Sequence, residues 1–113
     1  MTLQTALAEY YNGEINKSFA SFDSLINKAS TTKDKVLISV KYAKKLIETE
    51  FFTKAETVLN QAKEMAVKSE ESSKSLLRWK VEYVFGKLHV KTMYFQKAYE
   101  TYYATLNDTE SMP

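Results

Sequence analysis

The sequence predicts an all-α fold, three stacked antiparallel helix pairs, and two observations carry that prediction. The first is punctuation. Two Gly and one Pro in 113 residues, with the Pro last, are too few breakers for strands joined by tight turns. The second is a spacing that recurs along the chain: Ala6 is followed by Ser18, Phe22 and Leu25; Ala43 by Ala55, Leu59 and Ala62; Gly86 by Ala98, Tyr102 and Thr105. In each copy twelve positions separate the first two residues, and Ile15, Phe52 or Phe95 stands three before the second, whose later partners follow by four and seven. Those steps lie on one helix face. Small residues let two backbones approach, and larger ones fill the grooves beside the crossing.

Each element follows from local chemistry. Residues 3–11 make a short helix that Asn12 and Gly13 end, since both tolerate the left-handed backbone of a helix C-terminus. A second helix over 14–28 carries Ile15, Phe19, Phe22, Leu25 and Ile26 at amphipathic spacing. The polar run 30–33 separates the pairs and offers a hydroxyl as the next N-cap. A third helix then reaches about Thr49. The fourth spans about 52–68, with Thr53 and Glu56 at the spacing of a capping box. Residues 69–72 form the next loop, a fifth helix runs over 73–91, and a sixth over 94–107. The fifth is apolar on two sides, Trp79, Tyr83, Gly86 and Val90 on one and Leu77, Val81, Val84 and Leu88 on the other, as suits a helix buried between neighbours. Residues 1–107 therefore read as one domain, and 108–113 as a flexible tail with little apolar content.

At the recurring positions the chain resembles the tetratricopeptide repeat, whose helix pairs carry a small residue in the first helix and small, bulky and small positions in the second. Tyr83 to Leu88 followed by Phe95 to Glu100 fits best, and Tyr42-Ala43 followed by Phe52 to Ala55 nearly as well. The first copy has Ser18 and Leu25 where alanines are usual. The second-helix anchors fall 37 and then 43 residues apart, against about 34 in the family. Such expanded repeats are similar to those of bacterial peptide-sensing regulators and of motor light chains. The resemblance implies a TPR-like solenoid that binds protein or peptide.

Composition narrows the chemistry further. There is no cysteine and one histidine, and no Gly-rich loop, which argues against a Cys/His pair, a histidine-rich zinc site or a phosphate cradle. His89 reads as interhelical packing and Glu70-Glu71 as a solvated loop, because adjacent residues do not share a helix face. No catalytic, metal or cofactor-binding residue is expected, and the chain is read as a non-enzyme. The absence of cysteine, of a ~20-residue apolar span and of a basic-then-apolar leader predicts a cytoplasmic protein without membrane contact. A net charge of +2 spread along the chain gives no basic tail for nucleic acid.

Two surfaces remain as candidates. In the family the first helix of each pair lines a concave groove, and the matching positions are Lys80, Tyr83, Lys87, Val90 and Lys91 on the fifth helix with Leu37, Val40, Lys44, Ile47 and Glu48 on the third. Lysines beside an aromatic favour an extended acidic peptide. The partner-binding set is Lys44, Lys80, Tyr83, Lys87 and Lys91. No Asn or Arg occupies these positions, which speaks against the carboxylate-clamping version of the family. The alternative is a nucleic-acid binder using Lys41, Lys44, Lys45, Lys80, Lys87 and Lys91. The last helix, with Tyr99, Tyr103 and Leu106 uncovered by any later helix, is the expected self-association surface of a homodimer.

Overall fold

The computed structural model describes residues 2–69 and 74–111, the side chains of 74, 102 and 105–111 excepted. Five helices account for nearly all of it: α1 (Leu3–Tyr11), α2 (Ile15–Lys28), α3 (Thr32–Glu48), α4 (Phe52–Lys68) and α5 (Lys74–Ser111). No strand occurs among the described residues. The first four helices lie where the sequence places them, within one or two residues. Thr31 caps α3 as expected, its hydroxyl accepting from the Asp34 N–H at 3.1 Å.

The first four helices form two hairpins, and their turns are the same turn. In the first, Asn12 N–H bonds to Ala8 C=O at 3.0 Å, Gly13 N–H to Tyr10 C=O at 3.1 Å and Glu14 N–H to Glu9 C=O at 2.9 Å. Thirty-seven residues on, Thr49 bonds to Lys45 at 3.1 Å, Glu50 to Ile47 at 3.1 Å and Phe51 to Leu46 at 2.8 Å. Both are Schellman motifs, which need a left-handed residue in the middle. Gly13 takes φ +85° freely, whereas Glu50 takes φ +67°, at a cost of about 1–2 kcal/mol for a residue with a Cβ. This turn also corrects the start of α4. Its N-cap is Phe51, without a side-chain cap bond, so the Thr53–Glu56 capping box is not used. The Schellman motif leads directly into the helix through Ala55 N–H to Phe51 C=O at 3.0 Å.

Inside the hairpins the small-residue crossings are where the spacing puts them. Ser18 is buried against α1 and donates its hydroxyl to the Ala6 carbonyl at 2.6 Å. Ser21 likewise donates to the buried Glu9 carboxylate at 2.6 Å. Ala43, Ala55, Leu59 and Ala62 are all fully buried at the α3–α4 crossing. Between the hairpins Phe22 stacks on Tyr42 at 4.9 Å, and Phe19 meets Phe51 edge-on at 5.5 Å. Fully burying a ring such as that of Phe22 contributes about 1.5–3 kcal/mol.

The third copy departs from expectation. There is no break near 92–93 and hence no third hairpin: α5 is one continuous helix of 38 residues, about 57 Å long. It runs antiparallel to α4, with contacts that step down one helix as they step up the other, from the Lys63–Glu82 ion pair at 3.0 Å to the Phe52–Phe95 ring contact at 5.8 Å. Leu77, Val81, Val84 and Leu88 are buried, as one of its two apolar stripes requires. Past Phe95, α4 has already begun, so the remaining sixteen residues overhang by about 24 Å. The helix also continues through Ser111, across most of the span read as a tail.

Candidate functional site

Between α3 and α5 lies an open groove of about 670 Å³, lined by Lys44, Ile47 and Glu48 from α3 and by Glu82, Tyr83, Gly86, Lys87, Val90 and Lys91 from α5. Its position follows from the helix bounds. Residues 82, 83, 86, 87, 90 and 91 are adjacent pairs repeating every four, which is one broad face of a helix. The floor is apolar, from Ile47, Tyr83, Gly86 and Val90, and the rim is charged.

The rim charges are not equivalent. Glu48 is engaged outward, 3.2 Å from Lys45 and accepting from the Tyr10 hydroxyl at 3.2 Å, and Glu82 pairs with Lys63 at 3.0 Å. Lys44 and Lys91 have no ion pair among the described residues, and Lys87 lies over the Tyr83 ring, 5.1 Å from its centre. The acids are thus neutralised by lysines that do not line the groove, and the groove's own lysines are left to face it. Tyr83 also stacks on Trp79, one turn earlier on α5, at 5.5 Å.

Of the partner-binding residues read from the sequence, the structure gathers Lys44, Tyr83, Lys87 and Lys91 around this groove with Ile47, Glu48 and Val90. Lys80 is half-buried and does not line it, Val40 is buried in the core, and Leu37 lines a different cavity beside Lys41. Sequence reasoning missed Glu82 and Gly86 as lining residues. Their signal was available, since each neighbours Tyr83 or Lys87 and continues the paired spacing. Lys45 belongs to a structural joint. Its side chain is mostly buried, bonds to the Tyr11 hydroxyl at 2.8 Å and lies 5.1 and 4.9 Å from the rings of Tyr10 and Tyr11, tying the end of α1 to the end of α3. Burial works against its charge, but the bonds from Tyr11 and Glu48 outweigh it and raise the Lys45 ammonium above its ordinary value.

The other candidate positions divide. Tyr99 and Tyr103 are exposed on the overhang with ring centres 4.6 Å apart, while the Leu106 and Tyr102 side chains lie outside the described residues, as do Glu70 and Glu71. His89 is not packed between helices. It is exposed, its ring 5.9 Å from Phe85 on its own helix, because the helix meant to cover it does not fold back. Among the described residues no three His, Asp or Glu side chains gather as metal ligands, and no helix is long and apolar enough to cross a membrane. In comparison with protein-family models, curated proteins and solved structures, nothing matches this chain.

Proposed function

We propose that this chain is a non-enzymatic, TPR-like helical scaffold that binds a protein partner through an extended acidic peptide lying in the α3–α5 groove. One observation carries the reading: Lys44, Lys87 and Lys91 converge on an apolar floor while the two acids of the same rim are neutralised by lysines elsewhere. An acidic peptide with an apolar side chain satisfies both halves of that surface. Its carboxylates meet the lysines, and its apolar group replaces water over Tyr83 and Val90.

The test uses a fluorescein-labelled acidic decapeptide with a central phenylalanine, titrated by anisotropy. Replacing Lys44, Lys87 and Lys91 together by Glu should weaken binding by at least about tenfold. Helicity should not change, because none of the three holds an ion pair among the described residues. Unchanged affinity in the triple variant would remove the groove from consideration.

A further inference from the structure

The exposed stripe on α5 has a counterpart in the second hairpin. Shifted by 43 positions, Val36, Val40 and Ile47 become Trp79, Tyr83 and Val90. The α3 residues are 0, 6 and 5% exposed, whereas those of α5 are 61, 51 and 63% exposed. Ala43, buried against α4, becomes Gly86, beside which an added Cβ would meet nothing within 4 Å. These four positions are buried on α3 and uncovered on α5, whereas Tyr42, under Lys54 of α4, corresponds to Phe85, which α5 keeps buried. The equivalent of α4 itself is the end of α5, where Phe95, still in contact with α4, and Ala98, on the overhang, stand for Phe52 and Ala55.

The hinge shows the same correspondence. Thr49 ends α3 with its hydroxyl donating to Lys45 C=O at 2.8 Å and Leu46 C=O at 3.3 Å. Thr92, 43 residues later, donates to Leu88 C=O at 3.0 Å and His89 C=O at 3.1 Å. Met93 falls where Gly13 and Glu50 take their left-handed turn, and Tyr94 where Phe51 follows. Glu50 shows that a residue with a Cβ is accepted at that position in this fold.

We propose that α5 is a third hairpin held open, and that it closes by reversing at Thr92–Tyr94, so that Phe95 and Ala98 lie over Gly86 and the returning segment covers Tyr83, Gly86 and Val90 of the groove. The occupant is the chain's own segment. A second copy fits worse, because twelve residues at 100° each put Ala98 about 120° round the helix from Gly86. Two straight α5 helices paired across a two-fold axis cannot turn both faces toward each other at once. A reversal between the two removes that offset, as it does between Ala43 and Ala55. Because closure covers lining residues of the groove, the segment competes with the peptide. That last step rests on the groove being the binding site.

The chain has no cysteine, so a single engineered pair reports on closure. In Gly86→Cys/Ala98→Cys the two positions are about 18 Å apart along a continuous helix, well beyond the span of a disulfide. Mild oxidation should nevertheless give a monomeric species with an internal disulfide, formed faster when Met93→Gly is added. Absence of that species, or a disulfide formed only between copies, overturns closure. Should the pair perturb folding, spin labels at Arg78→Cys and Ala104→Cys decide: about 39 Å alone means a helix that never closes, and a population below about 20 Å means a hairpin. Oxidation of the Gly86→Cys/Ala98→Cys protein should weaken the acidic decapeptide by at least about tenfold relative to the same protein reduced. A disulfide formed with affinity unchanged overturns the competition. If the parent protein binds no peptide, the groove reading fails by itself, and disulfide yield still decides closure.

Discussion

The second hairpin and α5 contain the same small, aromatic and hydroxyl positions, yet one reverses at residue 50 and the other runs straight through residue 93. Their turn residues do not explain it, since neither Glu50 nor Met93 is a natural left-handed residue. The neighbours do. The turn after α3 is backed by Phe51 against Phe19 of α2 at 5.5 Å. The same contact one repeat later would set Tyr94 against Glu56, an exposed carboxylate. A helical register therefore marks where a hairpin can form, and apolar support from the preceding hairpin determines whether the strained turn is stable.

The sharpest way to break this comparison is to remove one aromatic from each region. Phe22→Ala, which empties a fully buried site stacked on Tyr42, should cost about 3–5 kcal/mol. Tyr99→Ala on the exposed overhang should stay within about 0.5 kcal/mol. Urea titrations of both variants give the contrast, and equal losses would mean the overhang is packed after all. Next comes a pair at equivalent register. Ala55→Leu pushes extra methylenes into the closed α3–α4 crossing and should cost about 1–3 kcal/mol, whereas Ala98→Leu, exposed on α5, should cost within about 0.5 kcal/mol. Thermal melts that shift alike would erase the difference between the two copies.

A glycine scan of the two turn positions sharpens it through sign. Glu50→Gly relieves a left-handed backbone and should raise stability by roughly 0.5–1 kcal/mol. Met93→Gly lies inside a continuous helix and should lower helix stability by about 1 kcal/mol. Same-sign shifts in the two melts would contradict the backbone conformations described.

The smallest effect is a pH dependence that belongs to the hairpins. The Tyr10 phenol is raised by burial and then by Glu48, and the Lys45 ammonium is raised by its bonds to Tyr11 and Glu48 against the effect of burial. Both groups hold their protons more tightly when folded. Their contribution is therefore complete below the unfolded values of 10.0 and 10.5 and is lost as pH rises through the higher folded ones. Melting temperatures measured upward from pH 8 should fall only in the alkaline limb, and Lys45→Met should flatten that fall. An unaltered alkaline limb in Lys45→Met would mean the α1–α3 joint does not titrate as described.

Much of the groove was readable because its residues belong to two helix faces whose spacing is periodic. Lys44, Ile47, Tyr83, Lys87, Val90 and Lys91 come together once α3 and α5 are known to be neighbours. What spacing could not show is which lysines are already engaged. Lys44 and Lys45 are adjacent in the chain, yet one faces the groove and the other is held between Tyr10, Tyr11 and Glu48.

The sequence by itself determined the all-helical class, the bounds of the first four helices and the small residues at their two crossings. These depend on the hydroxyl caps of α1 and α3, on the scarcity of breakers and on side-chain volume within a turn or two of chain. Only the tertiary structure decided that the third copy is a straight helix. The left-handed turn at Glu50 is backed by Phe51 against Phe19 of α2, whereas the α4 position that corresponds to Phe19 is the exposed Glu56, some forty residues from Tyr94 in the chain, which offers no such apolar support.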